Sequence, residues 1–423
     1  MTITRRTFLR RSAATAIGIG LGGPLLRMGD ALAGGPASEK IVVVVNLFGG
    51  NDFLNTVVPV SQIDPYRAAR PNLYVRPDWA LELPGRDDLA LNPGMTAMRD
   101  LYAEGKVAVV VGAGMPPTAQ GLFDHEASQL NLQSGGVSGS SFTTAPSGWL
   151  GRYLDTVAGG TMPPGVDVGG YATLVLAGEQ SEALTLFSTE SFGIMPGFDS
   201  QARLAAYRRI QTSSTLDRAP AILGRERRTQ VLDLAGLLRE RTGSYVPAVP
   251  YPADNYLADA LRQCASLIAG GLGVRALTVG ADGFDTHAAQ NDGASAADLG
   301  NHDYLLKTVS DAIGAFQADL EAHGFGDRVV TLVFSEFGRR VYENTDLGTD
   351  HGFAGGMFVV GAPVRGGVYG EYPSLAASDL VFDGNVDVTV DFRSVYATVL
   401  EGHLGADPGP ILGGDFPTLG IFG

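Results

Sequence analysis

The sequence predicts an α/β protein built on a largely parallel central sheet flanked by helices, and three observations carry that reading. Four apolar runs, Ile41 to Val45, Val107 to Val111, Val274 to Val279 and Val329 to Phe334, are continuous rather than alternating. Continuous runs mark strands buried on both faces. Helical patterns separate them, and the recurrence of strand, helix, strand favours parallel pairing with helices on either side. Finally, strands end abruptly in polar residues: one leads into Gly283-Phe284-Asp285-Thr286-His287, another into Ser335-Glu336-Phe337-Gly338-Arg339-Arg340. Acids and histidines at the carboxyl ends of parallel strands are the one-dimensional form of an α/β active site.

In chain order, residues 1–33 stand apart from the fold. Thr4-Arg5-Arg6-Thr7-Phe8-Leu9-Arg10 reads as a twin-arginine motif, and Ala31-Leu32-Ala33 as a cleavage site behind a short apolar stretch broken by Gly22, Gly23 and Pro24. The expected destination is periplasmic or secreted, the expected partner is the twin-arginine export machinery, and no membrane anchor remains after cleavage. Residues 34–423 are then expected to form one domain. Its strands are Lys40–Leu47, Lys106–Gly112, Tyr171–Ala177, Val274–Val279, Val329–Phe334 and Met357–Val360. Helices are expected over 94–104, 149–157, 255–269 and 303–322, the last with an apolar stripe at Leu306, Val309, Ile313, Phe316 and Leu320. Residues 198–243, helical and arginine-rich, read as an insertion or cap with a solvated basic face. Ser134 to Ser147 reads as a Gly/Ser/Thr-rich loop.

Composition narrows the function. A formal charge of −15 with no basic stripe excludes nucleic-acid binding and disfavours anionic lipid. The single cysteine, Cys264, allows no intrachain disulfide and lies in an apolar helical pattern, so it reads as a buried structural thiol.

The case for a metal begins with spacing. Asp285 and His287 are two apart, so in an extended segment both side chains point the same way. Asp350 and His351 are adjacent in Gly348-Thr349-Asp350-His351-Gly352, where they could serve one metal or two neighbouring ones. Asp52, after Phe48-Gly49-Gly50-Asn51, and Glu336 add oxygens at other strand ends. Mixed carboxylate and imidazole ligation suits a divalent ion such as zinc, manganese or iron. Such an ion would polarise a phosphoryl or sulfuryl oxygen and lower the pKa of bound water to about 7. His302, opening a helix, is a candidate partner behind the ligands. His125 falls in a loop with no assigned role, and His323 and His403 read as surface residues.

Together these motifs resemble the exported bacterial family labelled domain of unknown function 1501. Asp391-Phe392-Arg393-Ser394-Val395-Tyr396 is similar to its C-terminal signature. The resemblance implies a branch of the alkaline phosphatase and sulfatase superfamily, whose members hold one or two divalent metals at the ends of a parallel sheet. They hydrolyse phosphate or sulfate esters through a Ser, Thr or modified Cys nucleophile. It also implies that His351, followed by the apolar run to Gly361-Ala362-Pro363, is the ligand of the Asp350-His351 pair. Where the family carries Ser-His-Phe, this chain has Gly121-Leu122-Phe123. Thr118 and Ser128 are the nearby hydroxyls, with Thr118 equally readable as a helix N-cap. Arg339 or Arg340 could clamp an oxyanion, or pair with Glu336 or Glu343. The expectation is an exported metal-dependent hydrolase acting on a small anionic phosphate or sulfate ester. The alternative is an inactive, hydrolase-derived binding or assembly protein in the periplasm.

Overall fold

The computed structural model describes residues 39–119, 121–136, 147–157, 162–193, 201–213, 218–292 and 298–423. The expected export signal and most of the Ser134–Ser147 loop lie outside the described residues. Nine strands form the central sheet. They are β1 (Ile41–Leu47), β2 (Val107–Gly114), β3 (Gly165–Val168), β4 (Ala183–Leu186), β5 (Ala276–Ala281), β6 (Val329–Ser335), β7 (Gly355–Val360), β8 (Gly367–Tyr369) and β9 (Val390–Asp391). Their order is β8-β2-β7-β6-β1-β5-β3-β4, with β9 also on β2. Every strand runs parallel to the others except β7, which is antiparallel to β2 and β6. The fold is thus the mixed α/β class that the apolar runs predicted.

The helices used below are α1 (Thr96–Ala103), α2 (His125–Ser134), α3 (Trp149–Asp155), α4 (Gln201–Ser213), α5 (Ala219–Thr242), α6 (Tyr256–Ala269), α7 (Asn301–Ala322) and α8 (Phe392–Gly402). Strand β1 shows why the runs are continuous. Val43 and Val45 enter one core with Leu261 of α6 and Phe316 of α7, while Val42 and Val44 enter the opposite core with Trp149 of α3 and Tyr396 of α8. Each face has its own helices, so every position gains by being apolar, at about 1.5–3 kcal/mol per fully buried side chain. The α7 stripe is buried as read, and Cys264 is fully buried in α6. Helices α4 and α5 occupy the expected helical region. Leu232, Ala235 and Leu238 of α5 are buried, and Arg227 is ion-paired with Glu182 at 3.2 Å rather than solvated. Among the described residues, no helix is long and apolar enough to cross a membrane.

Two expectations fail here. Tyr171–Ala177 is not a strand but a loop with a 3₁₀ turn at Leu174–Leu176. The buried Asp167 carboxylate accepts the backbone N–H groups of Tyr171 and Thr173, folding the chain back on itself after the left-handed glycines 169 and 170. Strands β3 and β4 lie on either side of it instead. His403 is buried, not exposed. Its Nε2 is 3.0 Å from the Ile41 carbonyl, and burial holds its pKa down to about 4.

Register brings the polar strand ends together. Leu47 pairs with Ala281 on one side and Ser335 on the other, and the start of β7, Gly355, pairs with Ala113 of β2. The carboxyl ends of β5, β1, β6 and β2 therefore lie along one edge of the sheet. The loops that follow them build the site.

Candidate metal centre

Asp285, four residues past β5, is the centre of the site. The turn after β1 makes room for it: Gly49 has φ +118°, and a Cβ there would lie 2.3 Å from the Asp285 amide nitrogen. Arg339, the residue at which the chain turns back from β6, holds Asp285 at 2.6 Å. Burial pushes the Asp285 carboxyl pKa up, but Arg339, helped by His351 and His287, outweighs it and sets it at about 2. The carboxylate is ionised at every physiological pH.

Three imidazoles face this carboxylate. His287 Nε2 and His351 Nε2 lie 3.1 and 3.2 Å from Oδ1, and His125 Nε2 lies 3.4 Å from Oδ2. Each ring is gripped from behind through Nδ1. His125 Nδ1 is 2.8 Å from Glu336 Oε1, His287 Nδ1 is 3.3 Å from Asp350 Oδ1, and His351 Nδ1 is 2.7 Å from the Phe123 carbonyl. Carboxylates and carbonyls only accept, so a hydrogen on each Nδ1 satisfies the partner behind the ring and, in the neutral ring, leaves the Nε2 lone pair on the Asp285 side to ligate a cation. The donor set therefore fits a divalent ion, with outer partners fixing the ring tautomers as metal-binding histidines require. Donor atoms of His125, Asp285 and His351 all lie within 4.8 Å of one another. The hydrogen bond to Glu336 raises the His125 pKa, whereas burial lowers that of His351.

The loops carrying these rings are tied together. Thr349 N donates to Thr286 O, Ala289 N to Asp346 O and Gln290 N to Leu347 O. Asn344 Nδ2 donates to both the His287 carbonyl (2.9 Å) and Asp350 Oδ1 (3.1 Å). Gly348 sits so close that a Cβ would be 2.1 Å from the His287 carbonyl carbon. Ala289, Leu347 and Phe123 all adopt positive φ without being glycine, conformations that gather where function over-determines the backbone.

Of the six ligands expected from sequence, the structure brings Asp285, His287 and His351 into one cluster. Glu336 and Asp350 stand one layer back, holding His125 and His287. Glu336 is buried and also accepts the Gly49 amide, which directs it away from Asp285. Asp52 lies apart from the cluster. Its carboxylate is fully buried against Arg70 at 2.6 Å and accepts Gln290 Nε2. His302 belongs with Asp52, buried and bonded through Nε2 to Asn51 Oδ1 at 3.0 Å.

The expected catalytic residues are placed differently. Arg339 pairs with Asp285 rather than with Glu336 or Glu343, and its other N–H groups are donated to the carbonyls of Gly49, Gly50, Phe284 and Thr349. With its donors so occupied, it is a strut and not an oxyanion clamp. Thr118 lies in an exposed turn and enters none of the described hydrogen bonds of the site. The N-cap before α2 is Asp124, which accepts Ala127 N. Ser128 is buried, its hydroxyl donating to the Gly121 carbonyl at 3.2 Å. Gly121 has no room for a serine, since its Cβ would lie 2.2 Å from Ala127 Cβ. The residue that sequence reasoning left unplaced is His125, the first residue of α2. The usable signal was Asp124, a good N-cap, which would have put His125 at the start of a helix following β2.

Residues 39–411 match the family described as "Protein of unknown function (DUF1501)". The chain belongs to this family. No curated protein matches it. Among solved structures, this family member is similar to the PsFucS1 sulfatase from Pseudoalteromonas sp., at 12% identity and a TM-score of 0.37, covering 90% of this chain and 71% of that one. It is also similar to a protein of the alkaline phosphatase superfamily from Vibrio parahaemolyticus, at 8% identity, a TM-score of 0.31 and coverages of 92% and 77%. Alkaline phosphatase from the Antarctic bacterium TAB5 is similar at 11% identity, a TM-score of 0.26 and coverages of 77% and 92%.

Proposed function

We propose that this chain is an exported, divalent-metal-dependent hydrolase of phosphate or sulfate esters. The observation that supports it is the convergence of three Nε2 atoms on an ionised carboxylate, each ring locked by an acceptor at Nδ1. His125, His287, His351 and Asp285 would hold the ion. When bound by these residues, a divalent ion would supply Lewis-acid polarisation of an ester oxygen and a lowered pKa for water. The chain's part is to keep the three rings in one tautomer, to keep Asp285 ionised through Arg339, and to leave one side of the cluster open. His287 and Asp285 are half exposed, so an ester can reach them. Ser128 spends its hydroxyl on the Gly121 carbonyl and Thr118 lies in an exposed turn, which favours water over a side-chain nucleophile.

The test is turnover of aryl phosphates and aryl sulfates by metal-loaded protein. Hydrolysis is expected to vanish on chelation and in His351→Ala, and to survive Thr118→Ala and Ser128→Ala. A protein that binds metal but turns over neither ester class would instead favour the inactive binding or assembly reading. Export has its own readout. The full chain should fractionate to the periplasm, and Arg5→Lys with Arg6→Lys should retain it in the cytoplasm; equal export of both would discard the twin-arginine reading.

A further inference from the structure

The His351 side of the centre is walled by aromatic rings. Phe123, whose carbonyl holds His351, places its ring 6.5 Å from Phe353 and 6.1 Å from Phe382, and the last two meet edge to face at 4.9 Å. Phe353 is buried, but Phe382 stands 49% exposed. It occupies the tip of a tight loop closed by the bridge between Val381 and Asn385. Three successive residues of that tip, Phe382, Asp383 and Gly384, have φ of 44°, 59° and 103°. A bulky ring held in left-handed backbone and presented to solvent is doubly disfavoured, and such arrangements concentrate at binding sites.

The same tip is fastened to Arg340. The guanidinium donates to the Asp383 carbonyl, and a Cβ at Gly384 would lie 2.8 Å from the Tyr342 ring, so the loop seats tightly on the short strand Arg339–Glu343. Arg340 differs from its neighbour Arg339 in having donor capacity left. Its Nη2 is taken up by Asp383, whose Oδ2 lies 3.4 Å away, but its Nη1 is 3.9 Å from Asp350 Oδ2, beyond hydrogen-bond length, and its side chain is 30% exposed. A cation with an unused donor at Nη1 and an exposed phenyl ring thus stand side by side next to the cluster, Arg340 facing Asp350 and Phe382 on the loop that Arg340 fastens.

We propose that Phe382 and Arg340 form the recognition rim of the centre, selecting anionic esters whose organic group presents a flat apolar face, the aryl ester class. The ring of the ester packs on Phe382 while an anionic oxygen reaches Arg340. This rests on the hydrolase reading of the centre. The test uses metal-loaded protein lacking residues 1–33 and two non-hydrolysable probes, phenylphosphonate and methylphosphonate, with affinities from calorimetry and metal content measured on every variant. Wild type should bind phenylphosphonate about tenfold more tightly than methylphosphonate, and Phe382→Ala should bring that ratio close to one without weakening methylphosphonate. Arg340→Gln should weaken both probes by about tenfold or more. Equal affinity for the two probes in wild type, or an unchanged ratio in Phe382→Ala, overturns the aromatic part; undiminished binding by Arg340→Gln overturns the arginine. If metal is retained and methylphosphonate binds without aryl preference, the rim falls and the hydrolase reading stands. If wild type holds no metal or binds neither probe, the centre itself is misread and the rim falls with it.

Discussion

Replacing Asp285 by alanine is expected to abolish metal binding while leaving the fold in place. Among the described residues, the carboxylate is the point on which His125, His287 and His351 converge. Its loss leaves Arg339 with its four backbone acceptors, so the strut survives. The single-histidine variants His125→Ala, His287→Ala and His351→Ala should each lose most of the metal as well. Substitutions one layer back should be milder: Glu336→Gln and Asp350→Asn are expected to weaken affinity by about 10- to 100-fold, the range for residues that orient a ligand without touching the ion. Proton competition sets the pH dependence. His125 has a raised pKa because Glu336 favours its charged form, so it becomes unavailable as a ligand earlier than an ordinary histidine as pH falls. Affinity should therefore drop steeply on acidification, and Glu336→Gln should move that drop to lower pH. Elemental analysis of the folded variants, with chelator competition across pH, reads all of this. Full metal content in Asp285→Ala, with unchanged circular dichroism, would sink the assignment.

Replacing Arg70 by alanine should instead unfold part of the stability reserve, by about 3–5 kcal/mol, the penalty for stranding a buried charge. Arg70 and Asp52 are both fully buried. The guanidinium also donates to the Val341 carbonyl at 2.8 Å, the Arg340 carbonyl at 2.6 Å and Asn55 Oδ1 at 2.7 Å. Burial alone would raise the Asp52 pKa, but Arg70 and His302 together bring it below the usual carboxylate value. A depressed acid contributes stability above its unfolded pKa of about 3.9 and loses that contribution as pH falls through the lower folded value. In Arg70→Ala the sign reverses. A buried carboxyl left with Gln290 but without its cation has a raised pKa, so the variant should be more stable near pH 5 than near pH 8. Urea denaturation of both proteins at the two pH values decides it, and a loss below about 1 kcal/mol would remove the pair from this role. Asp52→Asn provides the contrast: it should lower stability yet keep the metal, because Asp52 lies outside the three-histidine cluster.

Those two expectations mark where sequence reading stopped. Strands β1, β2, β5, β6 and β7 were legible because burial on both faces demands unbroken apolar runs. Strands β3 and β4 were not. Gly165-Val166-Asp167-Val168 is short and carries an acid that is buried only because Thr278, Thr173 and backbone amides satisfy it. Within the site, Asp285 and His287 could be paired by spacing alone, and the Gly348–Gly352 motif brought in His351. These are local facts, carried by periodicity and by where a strand ends. Which acid ligates and which supports is not local. Glu336 turns to His125, Asp350 to His287 and Asp52 to Arg70, and each choice depends on a side chain delivered by another element through parallel register. The same holds for Arg339, whose five acceptors come from three separate loops. Composition and pattern were sufficient for the α/β class and the cluster's nucleus of Asp285, His287 and His351. Tertiary structure alone brought His125 to Asp285, set Glu336 and Asp350 one layer back and turned Arg339 onto Asp285 and backbone carbonyls, because hydrogen-bond partners far apart in sequence decide where a charged side chain points.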